Sequence, residues 1–265
     1  MEEPQEVEPS DDWEHKELYD RVKSAIFALP SRYDSDINIE GLDAEDLFSL
    51  NSVLAATIED NVVETLNEMR SVWDPDEKYA DCSFIRQAQT FPDVLFVRHT
   101  EGGGIEPLMG IELKGWYLVS KEKEPSFRFK ITPDACAPQD LAVLFPWALD
   151  NVLSGSPELY EPYVTSAKRA SRYVDYYWKE LRTTDLDTTI NRPTGVEPYP
   201  DPKSDKIHDR PVDDSGNNYG RLARSGIMDD YKERMWNKEL AGIRVEEWIS
   251  FLKNSEGSQV KIGEF

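Results

Sequence analysis

The chain has 265 residues, 39% of them apolar, with 12 tyrosines, 10 phenylalanines and 7 tryptophans, enough for one large domain or two small ones. A formal net charge of −22 argues against a polyanion as partner of the whole chain. No apolar run approaches transmembrane length, and the acidic N-terminus lacks the apolar core of a signal peptide. Two cysteines (Cys82, Cys136) and three scattered histidines (His15, His99, His208) supply neither a disulfide framework nor local zinc spacing, so a reduced, cytoplasmic protein is expected.

In chain order, residues 1–10 are acidic and proline-bearing, and disorder is expected there, within an acidic N-terminus of residues 1–20. Asp11 or Asp12 caps a helix that runs to Leu29, before Pro30. Residues 31–42 read as a polar connector. A long helix is predicted from Asp43 to Val72, with Leu47, Leu54, Ile58, Val62, Leu66 and Met69 at helical spacing. Strands are predicted at 84–88, 93–99, 108–119, 127–131 and 140–146. In Phe127-Arg128-Phe129-Lys130-Ile131 apolar and basic residues alternate. Leu141-Ala142-Val143-Leu144-Phe145 is continuously apolar, as in a strand buried on both faces.

A second long helix is predicted from Glu161 to Leu181, its aromatics Tyr173, Tyr176, Tyr177 and Trp178 packing inward. Residues 183–217, rich in Pro, Asp, Asn and Thr, read as an extended loop. Helical pattern returns over 218–253, with Tyr231, Met235, Trp236 and Trp248 as packing residues, before a loose tail from 254 to 265. The order implies an α/β fold class, a mixed central β-sheet flanked by helices, with its core in residues 21–182. Neither a dinucleotide-binding glycine pattern nor a P-loop is present. Gly102-Gly103-Gly104 is a turn.

Charge is distributed unevenly. Residues 1–81 hold 6 basic and 23 acidic residues, net −17; residues 82–132 hold 7 and 6, net +1; residues 133–265 hold 17 and 23, net −6. The acid-rich flanks keep the chain soluble, or the acidic N-terminus screens a site in the middle or docks a basic partner.

The neutral middle contains Pro92-Asp93 and, 19 residues on, Glu112-Leu113-Lys114. A hairpin centred on Gly103/Gly104 sets position i opposite 207 − i, so that Asp93 faces Lys114 with Glu112 diagonal to both. Residues two apart share a strand face, so Glu112 and Lys114 project together. Two carboxylates and an ammonium at one spot can bind a divalent cation and hydrolyse a phosphodiester. As a string the pattern is weak. Four Pro-Asp pairs occur (Pro75-Asp76, Pro92-Asp93, Pro133-Asp134, Pro200-Asp201), along with several acidic-x-Lys triplets. Only Asp93 opens an apolar strand-like run behind a proline, and only Glu112 and Lys114 interrupt an apolar strand on both sides. A cross-strand Asp93–Lys114 salt bridge on a solvated face accounts for that pair but leaves Glu112 unexplained.

Pro92-Asp93, the spacing and Glu112-Leu113-Lys114, with a helix before and a strand and helix after, resemble the PD-(D/E)xK nuclease superfamily over roughly residues 43–182. The segment from Ile111 to Trp116, followed by Lys121 to Phe129, is also similar to type II restriction endonucleases. The resemblance implies a Mg²⁺-dependent endonuclease acting on DNA, in restriction or phage defence, with Mn²⁺ a possible substitute. Asp93, Glu112 and the Leu113 carbonyl would hold the metal, and Lys114 would position or deprotonate the attacking water. Superfamily members often add an acidic residue from the preceding helix. Among Glu59, Asp60, Glu64 and Glu68, Glu59 lies nearest the apolar face. Cutting two strands implies two sites, hence a homodimer or a larger defence complex. The alternative is a non-catalytic or partner-dependent interaction subunit on a nuclease-like fold. Lys121, Lys123, Arg128 and Lys130, and Arg221 and Arg224 heading the C-terminal helix, are candidate nucleic-acid contacts or ordinary surface charges. His99 lies too far along its strand to join the site.

Overall fold

The computed structural model describes residues 2–40, 44–87, 90–178 and 220–256. Asp43, the 183–217 loop and most of the expected tail lie outside the described residues. The chain forms a mixed α/β fold around a six-stranded sheet. Strands β1 (Cys82–Arg86), β2 (Val94–His99) and β3 (Ile105–Tyr117) make an antiparallel meander. Strand β4 (Leu141–Leu149) lies parallel to β3. Strands β5 (Pro157–Leu159) and β6 (Tyr163–Ser166) pair antiparallel with different stretches of β4.

All nine residues of β4 are buried, as a strand covered on both faces requires. Pro146 sits in it without an N–H, at the point where the partner changes from β6 (paired to 141–144) to β5 (paired to 147–149). A missing donor costs least where one ladder has ended and the next has not begun.

Helix α1 (Lys16–Ala28) ends in a 3-10 turn at Leu29–Ser31. It starts later than expected, after His15, and neither Asp11 nor Asp12 caps it. Helix α2 (Ala44–Glu68) is followed by the short α3 (Arg70–Trp73). The apolar stripe of α2 delivers Ile58, Val62 and Leu66 to the core. Trp73 meets Phe84 and Phe96 edge-on at 5.7 and 5.2 Å. Asn67 fastens α2 to the sheet: its amide accepts from Phe84 N and donates to Phe84 O, both at 2.9 Å.

Helix α4 (Ala167–Tyr176) begins at Ser166, whose hydroxyl accepts from Arg169 N. The predicted helical start at Glu161 is corrected, because 163–166 pair with β4 as β6. Beyond the gap come a 3-10 turn (Leu222–Arg224), α5 (Asp229–Trp236), a two-stranded hairpin of β7 (Glu239–Leu240) and β8 (Ile243–Arg244), and α6 (Val245–Glu256). The uniform helical pattern expected over 218–253 therefore contains a hairpin. Tyr231 of α5 lies 6.4 Å from Trp116 and 5.3 Å from Tyr163, covering the sheet there.

Two further expectations are corrected. Residues 127–131 form no strand: the segment is an extended connector with one isolated bridge, Arg128 to Arg221. Phe127 and Phe129 are buried and Arg128 and Lys130 exposed, so the alternation came from a connector lying on the core. Nor are residues 2–10 without structure. Glu6 accepts from Ser166 N, from Thr165 Oγ1 at 2.9 Å and from Arg169 at 3.3 Å. Tyr173 donates to Glu3 at 2.7 Å, and Glu8 pairs with Lys16 and Lys23. Among the described residues no helix is long and apolar enough to cross a membrane.

Candidate active site

The site forms where β3 outruns β2. Their ladder pairs Val94 with Ile111, Leu95 with Gly110 and Phe96 with Met109, and shifts by one residue between Phe96 and Val97. Near the site paired positions therefore sum to 205, not 207. Continuing the ladder, Asp93 lies opposite Glu112 and not Lys114. The expected Asp93–Lys114 pairing is corrected: His99 pairs with Ile105, which centres the turn on Gly102 and not on Gly103/Gly104, and the one-residue shift makes up only part of the difference.

Beyond Val94 the edge of β3 has no strand partner among the described residues, and side chains take its amides. Asp93 Oδ2 accepts from Leu113 N at 3.1 Å, while Asp93 N donates to Glu112 Oε2 at 3.3 Å. The two acidic residues are thus interlocked. One turn of α2 lies across the same edge: Glu59 Oε1 accepts from Lys114 Nζ at 3.2 Å and from Gly115 N at 3.4 Å. A residue in an antiparallel ladder sends its N–H and C=O to the same side, so the Leu113 carbonyl also lies on this edge.

Three residues hold Asp93 in place. Gln87 N donates to Asp93 O at 2.6 Å, and Gln87 Nε2 donates to Pro92 O at 3.0 Å. Gly110 provides the seat for Pro92: a Cβ there would lie 2.4 Å from Pro92 Cγ. Asp140 reaches over from the start of β4, accepting from Gly110 N at 2.8 Å and Ala137 N at 2.7 Å.

The electrostatics follow from burial. Desolvation pushes the Glu112 carboxyl up to about 7, with the Asp93 charge adding to it. Asp93 is also raised, by burial first, against the lowering effect of the Leu113 amide. Lys114 turns toward Glu59, leaving the Asp93–Glu112 pair without an ion-pair partner of its own among the described residues. Asp93 and Glu112, with the Leu113 carbonyl, are an all-oxygen donor set, the kind Mg²⁺ takes when water and phosphate complete its shell. Among the described residues no group of three or more His, Cys, Asp or Glu side chains is spaced to hold a metal. Glu59 bonds Lys114 and Gly115 instead.

A second cation, missed in the sequence, stands here. Arg86, the last residue of β1, lies opposite Val94. Its guanidinium contacts Asp60 Oδ1 and lies 3.7 Å from Glu59 Oε2. The signal available was an arginine closing a strand-like run just before Pro92-Asp93.

The remaining candidates lie elsewhere. Arg221 and Arg224 do not head a helix but flank a 3-10 turn, pairing with Glu122 at 2.8 Å and Glu124 at 3.0 Å. Lys123 Nζ sits 5.7 Å over the Trp236 ring. Lys121, Arg128 and Lys130 are exposed along the same connector. His99 bonds Ser83 Oγ at the far end of the hairpin. No family model, curated protein or solved structure matches the chain.

Proposed function

We propose that the chain is a Mg²⁺-dependent endonuclease of the PD-(D/E)xK type, hydrolysing DNA phosphodiester bonds in restriction or phage defence. The observation that carries this reading is the interlock of Asp93 and Glu112 on the open edge of β3, with Lys114 two residues along the same strand face. Holding two half-buried carboxylates side by side is unfavourable unless a cation joins them. Asp93, Glu112 and the Leu113 carbonyl would hold Mg²⁺ or Mn²⁺. When bound, the cation polarises the scissile phosphate and acidifies a water. Glu59 aims Lys114 Nζ at 3.2 Å, where its charge offsets that building on the phosphate oxygens. Two strands to cut call for two such sites, as in a homodimer or a larger defence complex.

The test is plasmid cleavage with Mg²⁺ by wild type, Asp93→Ala and Lys114→Ala. Loss of cleavage in both variants supports the reading; undiminished cleavage by both overturns the residue assignment.

One observation favours a second reading, an interaction subunit on a nuclease-like fold. Asp93 and Glu59 satisfy the Leu113 and Gly115 amides that β2 leaves unpaired, a structural task that needs no metal. A protein that binds no divalent cation and cuts no DNA, but keeps its fold, would be this subunit.

A further inference from the structure

Arg86 lies at the centre of the inference. Its side chain is 38% exposed, and it reaches the site from the edge strand β1, one ladder position from Asp93. Glu59 stands between two cations, with Lys114 at 3.2 Å on Oε1 and Arg86 at 3.7 Å on Oε2. Asp60, 52% exposed, takes the other side of the guanidinium. A planar guanidinium presents paired donors that match two oxygens of a phosphate as well as they match a carboxylate. An exposed arginine–aspartate pair is worth little in water, so a phosphodiester arriving at the site can take Asp60's place.

Resting on the nuclease reading above, we infer that Arg86 is a phosphate-binding residue of this site. Asp60 competes with the nucleic acid for its guanidinium, and Glu59 spaces Arg86 and Lys114 apart. Lys114 serves the reacting phosphate and Arg86 a phosphate oxygen nearer the sheet edge. The chain thereby gains a backbone contact from within residues 82–132, the stretch whose own charges balance to +1.

The experiment is binding of a fluorescein-labelled mixed-sequence DNA duplex, followed by anisotropy. Ca²⁺ replaces Mg²⁺ so that the duplex stays intact, and the salt concentration is varied. Arg86→Gln weakens binding about tenfold at low salt. It also lowers the slope of log affinity against log salt by about one unit, as the loss of one phosphate contact does. Arg86→Lys restores the slope. Asp60→Asn tightens binding about threefold, and that gain disappears in the Arg86→Gln background. A role confined to holding α2 against β1 moves both single variants in the same direction and leaves the slope unchanged. That outcome overturns the inference, as does an Asp60→Asn gain that is equal in both backgrounds. If wild type binds and cuts DNA while Arg86→Gln matches it, this inference alone fails. If wild type binds no DNA, the nuclease reading fails with it.

Discussion

Asp140, just before β4, and Glu112, on the neighbouring β3, are two carboxylates both raised by burial, and their surroundings differ. Asp140 accepts two short amide bonds, from Gly110 and Ala137, and its own carbonyl accepts from Ala167 N. Glu112 has Asp93 N at 3.3 Å and two further carboxylates, Asp93 and Glu59, within electrostatic reach. Asp140 is a finished structural joint connecting β3, β4 and α4. Glu112 is poorly compensated, and poor compensation of a half-buried carboxylate is what a binding site looks like before its ligand arrives.

The contrast breaks if substitutions at the two positions behave alike. The largest expected effect is on chemistry: Asp93→Ala and Lys114→Ala each lower Mg²⁺-dependent plasmid cleavage by roughly a thousandfold, with the circular dichroism spectrum unchanged. Next, Asp140→Ala strands one buried and one half-buried amide and lowers unfolding free energy by about 3 kcal/mol, read from urea titration. Gly110→Ala pushes Pro92 from its seat and moves Asp93, with about 2 kcal/mol of stability lost and cleavage down about a hundredfold.

The smallest effect has the opposite sign. Between the ordinary Glu value of 4.5 and about 7, folded Glu112 keeps a proton that the unfolded chain has released. Stability therefore falls as pH rises through that window. Without divalent metal, Glu112→Gln unfolds at a higher temperature than wild type at pH 8, and the advantage vanishes toward pH 4.

Much of this was legible from residue types. Asp93, Glu112, Lys114 and Glu59 were selected by proline placement, apolar flanks and helix phase, and the structure brings all four to one edge of β3. Their mutual pairing was not legible. The hairpin turns about Gly102 (His99 faces Ile105) and not about Gly103/Gly104, and the one-residue shift at Phe96/Val97 recovers only part of that difference, so Asp93 faces Glu112 and not Lys114. Gly110 inside an apolar strand was a readable hint of close backbone approach. Arg86 was hinted at only by its place at the end of a strand-like run before Pro92-Asp93, which by itself does not separate it from a solvated arginine. The acidic N-terminus misled because composition averages over residues, whereas Glu3 and Glu6 each find specific donors on β6 and α4.

The central claim is that Asp93 and Glu112 form a divalent-cation site. Its most direct test is Mn²⁺ binding by calorimetry, on wild type and Glu112→Gln at pH 8. Saturable binding to wild type, with a raised melting temperature, and loss of both in Glu112→Gln are expected. Wild type that binds no Mn²⁺, or Glu112→Gln that binds it equally well, would contradict it.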